Sequence, residues 1–204
     1  MPGKKILAAV ALLAAAPHGA EGGWDFDRDR VGATPSGYYV SAGQWRVKGE
    51  ATAPSPPNVL AQLGRSSTDT FNLTLVAGAR YRDVELSVML RPVGGEREPG
   101  GGVVWRAQDA RNYYLASYDP LAGDFTLAKV HNFGRVVLRR VATHSFSGWH
   151  ALRVTMNGDR IECYLDGTRY LELRDQSFPA AGEVGLWTRG DAVTYFDDFA
   201  VTGR

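Results

Sequence analysis

The stretch GGVVWRAQDARNYYLASYD at 101–119 gathers side chains suited to holding a polar ligand. Arg106 offers a planar fork of donors, Asp109 and Asn112 offer acceptors and an amide, and Tyr113 and Tyr114 carry rings with a polar tip. Lys129 and His131 follow, sharing a strand phase with Phe125 and Leu127, an odd mixture for a pure core face. Trp187 stands before Arg189 and Asp191 in GLWTRGD. A polar ligand is held by such sets, with rings against its apolar faces and planar polar groups on its hydrogen-bonding ones. A blander reading stands beside this one. Asp and Asn hydrogen-bond their own backbone in turns, so Asp109, Arg111 and Asn112 also fit a solvated turn. Trp187 and Trp149 also fit half-buried packing. Because an unpaired buried guanidinium is very costly, Arg106 is expected to point outward.

These side chains need a scaffold, and the rest of the chain reads as strands. YRDVELSVML (81–90) alternates Val84, Leu86, Val88 and Leu90 against Asp83, Glu85, Ser87 and Met89. WHALRVTMNGDRIECYLDGTRYLEL (149–173) alternates likewise, with turn signals NGD and DGT where positive φ is cheap. Further strands are expected at 102–107, 113–118, 125–130, 136–141, 183–188 and 193–202, with weaker ones at 44–48 and 58–63. Gly/Pro-rich loops fall at 50–58 and 91–101. No amphipathic helix of more than two turns follows residue 20, and no repeat of 20–50 residues appears. Roughly ten strands without crossover helices predict an all-β antiparallel sandwich of two sheets, or a barrel, in one domain.

The first twenty residues stand apart. Lys4 and Lys5 precede the apolar run Ile6–Ala16, and small residues lead to Ala20. This is the pattern of a secretory signal peptide, with cleavage expected after Ala20 and a mature domain at 21–204. The run is too short to span a membrane. An exported protein, periplasmic or extracellular, is expected. Loss of the leader leaves 21 basic residues facing 22 acidic ones, a net charge of −1. That is no footprint for nucleic acid or an anionic membrane. Cys163 is the only cysteine, so no intrachain disulfide can form, and its phase with Ile161 and Leu165 suits a small buried hydrophobe. A monomer stabilised by its core alone is expected.

In order along the chain, YRDVELSVML, GGVVWRAQDARNYYLASYD, WHALRVTMNGDRIECYLDG and GEVGLWTRGDAVTYFDDFAV resemble the concanavalin A-like, laminin-G-like jelly roll. More narrowly, the chain is similar to secreted bacterial domains of the 3-keto-disaccharide hydrolase family over roughly 24–202. The resemblance implies a jelly-roll sandwich with a carbohydrate ligand on the concave sheet face, around Arg106, Asn112, Tyr113, Lys129 and Trp187. A laminin-G-like protein-interaction module, working through loops 91–101 and 189–192, is the alternative.

The laminarinase branch of that scaffold uses Glu-x-Asp-x-x-Glu and the alginate-lyase branch Gln-x-His; neither pattern occurs here, nor does Gly-x-Ser-x-Gly. Glu85 and Asp109 are left as the acid and base for catalysis near Arg106. A 3-keto group acidifies the adjacent C2–H, so one well-placed base suffices for elimination. WDFDRD and TYFDDFAV sit on terminal strands that commonly pair in jelly rolls. Asp25, Asp27, Asp197 and Asp198 would then offer oxygen ligands to a structural Ca²⁺, and no other cofactor is implied. Outward acids on alternating strands are the plainer reading of the same residues.

Overall fold

The computed structural model describes residues 20–144 and 147–204, which form strands and connecting turns without a helix. The expected leader lies outside the described residues except for Ala20. The strands are β1 (Ala20–Trp24), β2 (Tyr38–Ala42), β3 (Trp45–Gly49), β4 (Asn58–Gln62), β5 (Phe71–Tyr81), β6 (Val84–Gly94), β7 (Gly101–Asp109) and β8 (Asn112–Asp119). They continue as β9 (Asp124–His131), β10 (Gly134–Ala142), β11 (His150–Asn157), β12 (Arg160–Leu165), β13 (Thr168–Arg174), β14 (Gly182–Arg189) and β15 (Val193–Gly203).

Two antiparallel sheets stack as a jelly-roll sandwich. One runs β13-β12-β11-β6-β15-β4-β3, with β1 also paired to β15; the other runs β10-β9-β8-β7-β14-β5-β2. Alternation decides which face each strand buries. Val84, Leu86 and Val88 meet Met156, Val154 and Leu152 across the β6–β11 ladder, and Val154 meets Cys163 on β12. All seven are buried between the sheets, facing Trp105, Tyr114, Leu127 and Leu186 of the opposite layer. Each such aliphatic side chain contributes about 1.5–3 kcal/mol when removed from water. Cys163 is part of this core, where burial pushes its thiol pKa up and leaves it unreactive.

The two expected hairpin turns form, with Gly158, Asp166 and Gly167 at positive φ. Strands β2 and the long β5 carry weaker sequence signals, because Gly78 at φ 77° and an irregular β2–β5 register interrupt their alternation. The terminal strands pair as expected: Trp24 lies opposite Phe199, and their rings stack at 5.4 Å.

Close approach demands glycine at one point above all. A Cβ on Gly102 would sit 1.9 Å from the Ala116 carbonyl oxygen on the neighbouring strand. The Gly-Gly start of β7 is therefore a spatial requirement.

Candidate functional site

The outward-facing residues of the seven-stranded sheet are not the polar set expected of a solvated face. Leu73, Leu75, Val104, Ala107, Tyr113, Leu115, Ala128, Val130 and Trp187 form a second apolar cluster separate from the inter-sheet core. Beside it the same face turns polar. Ser117 of β8, Arg135 and Arg140 of β10 and Trp187 and Arg189 of β14 border a pocket of about 240 Å³, closed by Arg97–Gly101 and by Asp119 and Asp124 at the β8–β9 turn.

The charges in this pocket interlock. Arg189 pairs with Glu98 at 2.8 Å and donates through Nε to the Thr68 carbonyl at 2.8 Å; Arg140 lies 3.4 Å from Asp124. Asp119 accepts the Leu121 and Ala122 backbone N–H groups. Asp191 accepts the backbone N–H groups of Glu96, Arg97 and Glu98, which fixes the loop that presents Glu98. Burial raises the Glu98 pKa, against the pull of Arg189 and Arg135 and with the push of Asp119. Burial likewise raises that of Asp119, against its two backbone donors and with help from Asp124. Two carboxyls with raised pKa thus share a pocket with arginines. Such a set can donate to and accept from hydroxyl groups and can move a proton.

Two donors in the lining have no acceptor among the described residues. Arg135 Nε and Trp187 Nε1 are buried without a hydrogen bond. The Arg135 guanidinium lies 6.0 Å from the Trp187 ring centroid. The indole N–H is directed toward the Tyr113 hydroxyl but does not meet it in hydrogen-bond geometry. An unmet buried donor costs about 1–3 kcal/mol.

The residues singled out from sequence are scattered. Arg106 does not point outward. It sits at φ 47° in a register shift between Trp105 and Asp109, which breaks the alternation that would have turned it to the face. Its side chain is buried and donates to the carbonyls of Arg82 (2.6 Å), Phe178 (2.9 Å) and Gly158 (2.6 Å), with Asp83 at 3.7 Å. The guanidinium is paired rather than bare, so the penalty that argued for exposure does not apply. Trp105 and Tyr114 take the core, stacked at 5.6 Å, while Tyr113 faces outward in the second cluster, where burial raises its hydroxyl pKa.

Lys129 is turned toward the end of the sandwich. Its ammonium lies 2.9 Å from Asp175 and also donates to Ser177. Asp109 and Asn112 make the turn itself: Asp109 accepts from Arg111 N at 2.7 Å and Asn112 Nδ2 at 2.9 Å, and Asn112 accepts from Asn132 N. Glu85 lies outward on the other sheet, 3.2 Å from Arg153, so it cannot act with Asp109. Of the expected set only Trp187 lines the pocket. Glu98, Asp119, Asp124, Arg135 and Arg140 were missed. The signals available were the Gly/Pro-rich loop 91–101 and the Trp187–Asp191 segment, whose loops the sequence points to only as the surface of a protein-interaction module.

The acids of the terminal strands also have partners. Asp197 is buried and accepts from Ser55 N and Oγ, Asp198 accepts from Ser55 Oγ at 2.7 Å, and Asp27 accepts from Asn58 N. Asp25 accepts from Asp27 N. Burial raises the Asp197 pKa despite the Ser55 and Asp198 N–H groups. Among the described residues, no three His, Cys, Asp or Glu side chains gather as a metal site.

Comparison with protein-family models gives no match, and comparison with curated proteins gives none. Solved structures do match. The carbohydrate-binding module CBM66 from Bacillus subtilis superposes with a TM-score of 0.69 at 22% identity, over 82% of this chain and 96% of that one. The GH43 protein BlXynB from Bacillus licheniformis gives 0.66 at 16% identity, over 89% of this chain but 39% of that one. A Bacillus subtilis protein of unknown function with a galectin-like fold gives 0.59 at 13%, over 82% and 90%. These likenesses establish the fold.

Proposed function

We propose that this is an exported carbohydrate-binding domain whose ligand enters the pocket between loop 97–101 and the outer face of β8, β10 and β14. The observation that carries the reading is the pocket itself, where Arg135 lies beside the Trp187 ring in a lining rich in arginine and carboxylate. Hydroxyl oxygens of a sugar are acceptors for the arginine donors, and the carboxylates accept the hydroxyl protons in return. The kinship with carbohydrate-binding modules in fold supports the class of ligand. The motif likeness to 3-keto-disaccharide hydrolases names the sugars to try first. For such a substrate Glu98 and Asp119 replace Glu85 and Asp109 as the carboxyls placed to exchange a proton with C2–H.

The test is a glycan screen of the purified protein, including glucosides and 3-keto-glucosides, with Arg135→Gln as the paired variant. Arg135 has no carboxylate within ion-pair distance among the described residues, so the variant keeps the fold. Binding weakened about 10- to 100-fold in the variant is expected, the loss of a charged hydrogen bond. Turnover that falls with Glu98→Gln extends the reading to catalysis. If no glycan binds, the carbohydrate reading fails and the laminin-G-like protein-interaction alternative replaces it.

A further inference from the structure

Strands β10 and β13 are the outermost strands of their respective sheets, and their free edges face each other across a cleft of about 880 Å³. Its lining contains Arg139, Arg140, Arg160, Arg169 and Arg174 against the single carboxylate of Glu172. Glu162, Asp159 and Asp124 beside the cleft offset most of this charge, so what distinguishes it is an arginine left without a carboxylate partner among the described residues.

The arginines are not equivalent. Arg160 and Arg169 are each bonded to both Glu162 and Glu172, at 2.7–3.1 Å, which makes a neutral block along β12 and β13. Arg174 pairs with Asp159. Arg139 is exposed and makes one long bond, 3.4 Å, to the Glu172 carbonyl; no carboxylate pairs with it among the described residues. Arg140 lines both this cleft and the 240 Å³ pocket, so the two sites meet across β10.

We propose that the cleft binds the continuation of an acidic polysaccharide whose end occupies the pocket, with Arg139 as the principal contact for a uronate carboxylate. This deepens the reading of the pocket, on which the continuity through Arg140 rests. The chemistry selects a uronate chain over a denser polyanion. Duplex nucleic acid carries a charge about every 1.7 Å and would press phosphates against Glu162 and Glu172. A polyuronate carries one carboxylate per sugar and presents hydroxyls between them, and those hydroxyls can donate to Glu172. Planar guanidinium groups match carboxylates in two-point geometry.

The experiment measures binding of the full chain to oligogalacturonate and to its carboxyl-reduced, neutral counterpart, for the wild type, Arg139→Gln, Arg139→Glu and Arg135→Gln. The charged oligomer is expected to bind more tightly than the neutral one. Arg139→Gln should weaken it about three- to fivefold and Arg139→Glu about tenfold or more, with the neutral oligomer unaffected. Raising salt from about 50 to about 300 mM should weaken only the charged ligand. Equal affinity for both oligomers overturns the cleft and leaves the pocket reading standing. Charged-oligomer binding that falls with Arg139→Glu but ignores Arg135→Gln sustains the cleft and refutes the pocket. Competition by duplex DNA at equal charge concentration refutes the selectivity and the proposal with it.

Discussion

Replacing Arg106 separates a fold-holding guanidinium from a ligand-holding one. Three backbone carbonyls, from the β5–β6 turn, the β11–β12 turn and the segment before β14, converge on this one side chain at 2.6–2.9 Å. Hydrogen bonds to a charged donor contribute about 1.5–3 kcal/mol each, although they do not add fully. Arg106→Ala leaves all three carbonyls unmet, deprives Asp83 of a neighbour and opens a void, so a loss of about 3–5 kcal/mol is expected. For a domain of this size that lowers Tm by about 6–20 °C. Arg106→Lys keeps the charge but presents a single ammonium, which cannot span three carbonyls, and should recover only a minority of the loss. The assay is chemical and thermal unfolding of the three proteins, alongside glycan binding measured well below each Tm. A Tm change under about 2 °C with binding abolished would refute the structural assignment.

Asp175 is a second test, through pH. Burial would raise its pKa, but hydrogen bonds from Ser177, Tyr114 and Lys129 outweigh it and lower the value to about 2 from 3.8. Since the folded value lies below the unfolded one, the stabilisation is complete above about pH 4 and disappears as pH falls toward 2; screening reduces it to about 1–2 kcal/mol. Asp175→Asn should therefore be less stable than wild type at pH 7 in urea melts, with the gap closing near pH 2; a constant gap would contradict this. Gly102→Ala forces a Cβ toward the Ala116 carbonyl and should cost about 3 kcal/mol or prevent soluble expression, whereas wild-type yield and Tm would show the strand spacing to be wrong. Chelation by EDTA tests the calcium expectation: a drop of several degrees in Tm would support a structural Ca²⁺ at Asp25, Asp27, Asp197 and Asp198, and an unchanged Tm would show that the hydrogen bonds from Asn58 and Ser55 suffice.

Much of the sandwich was legible because period-two alternation and Asn-Gly or Asp-Gly turns act locally. The β6, β11 and β12 core positions follow from alternation in segments 84–90, 152–156 and 161–165 alone. The site was far less legible. Arg106 was misplaced because a single left-handed residue shifts the phase of everything around it, and a bulge has no reliable sequence mark except glycine. The pocket draws on a loop at 97–101, a turn at 119–124, Arg135 and Arg140 of β10 and the end of β14, which only tertiary packing brings together. Glu85 and Asp109 looked equivalent to Glu98 and Asp119 as acids. What separates them is burial, which is not encoded within a few residues of the carboxylate.

The last strand, β15, occupies an interior position of its sheet, between β6 on one side and β4 and β1 on the other. Strands β6 and β4, roughly a hundred residues or more away in sequence, therefore find their partner only through residues 193–203. Without that strand the edges of β6 and β4 stay open, and so long a sequence separation makes its insertion a slow contact to form. Loss of this one strand would thus unseat partners on both of its sides at once, whereas loss of an edge strand such as β13 or β3 would strip only one ladder.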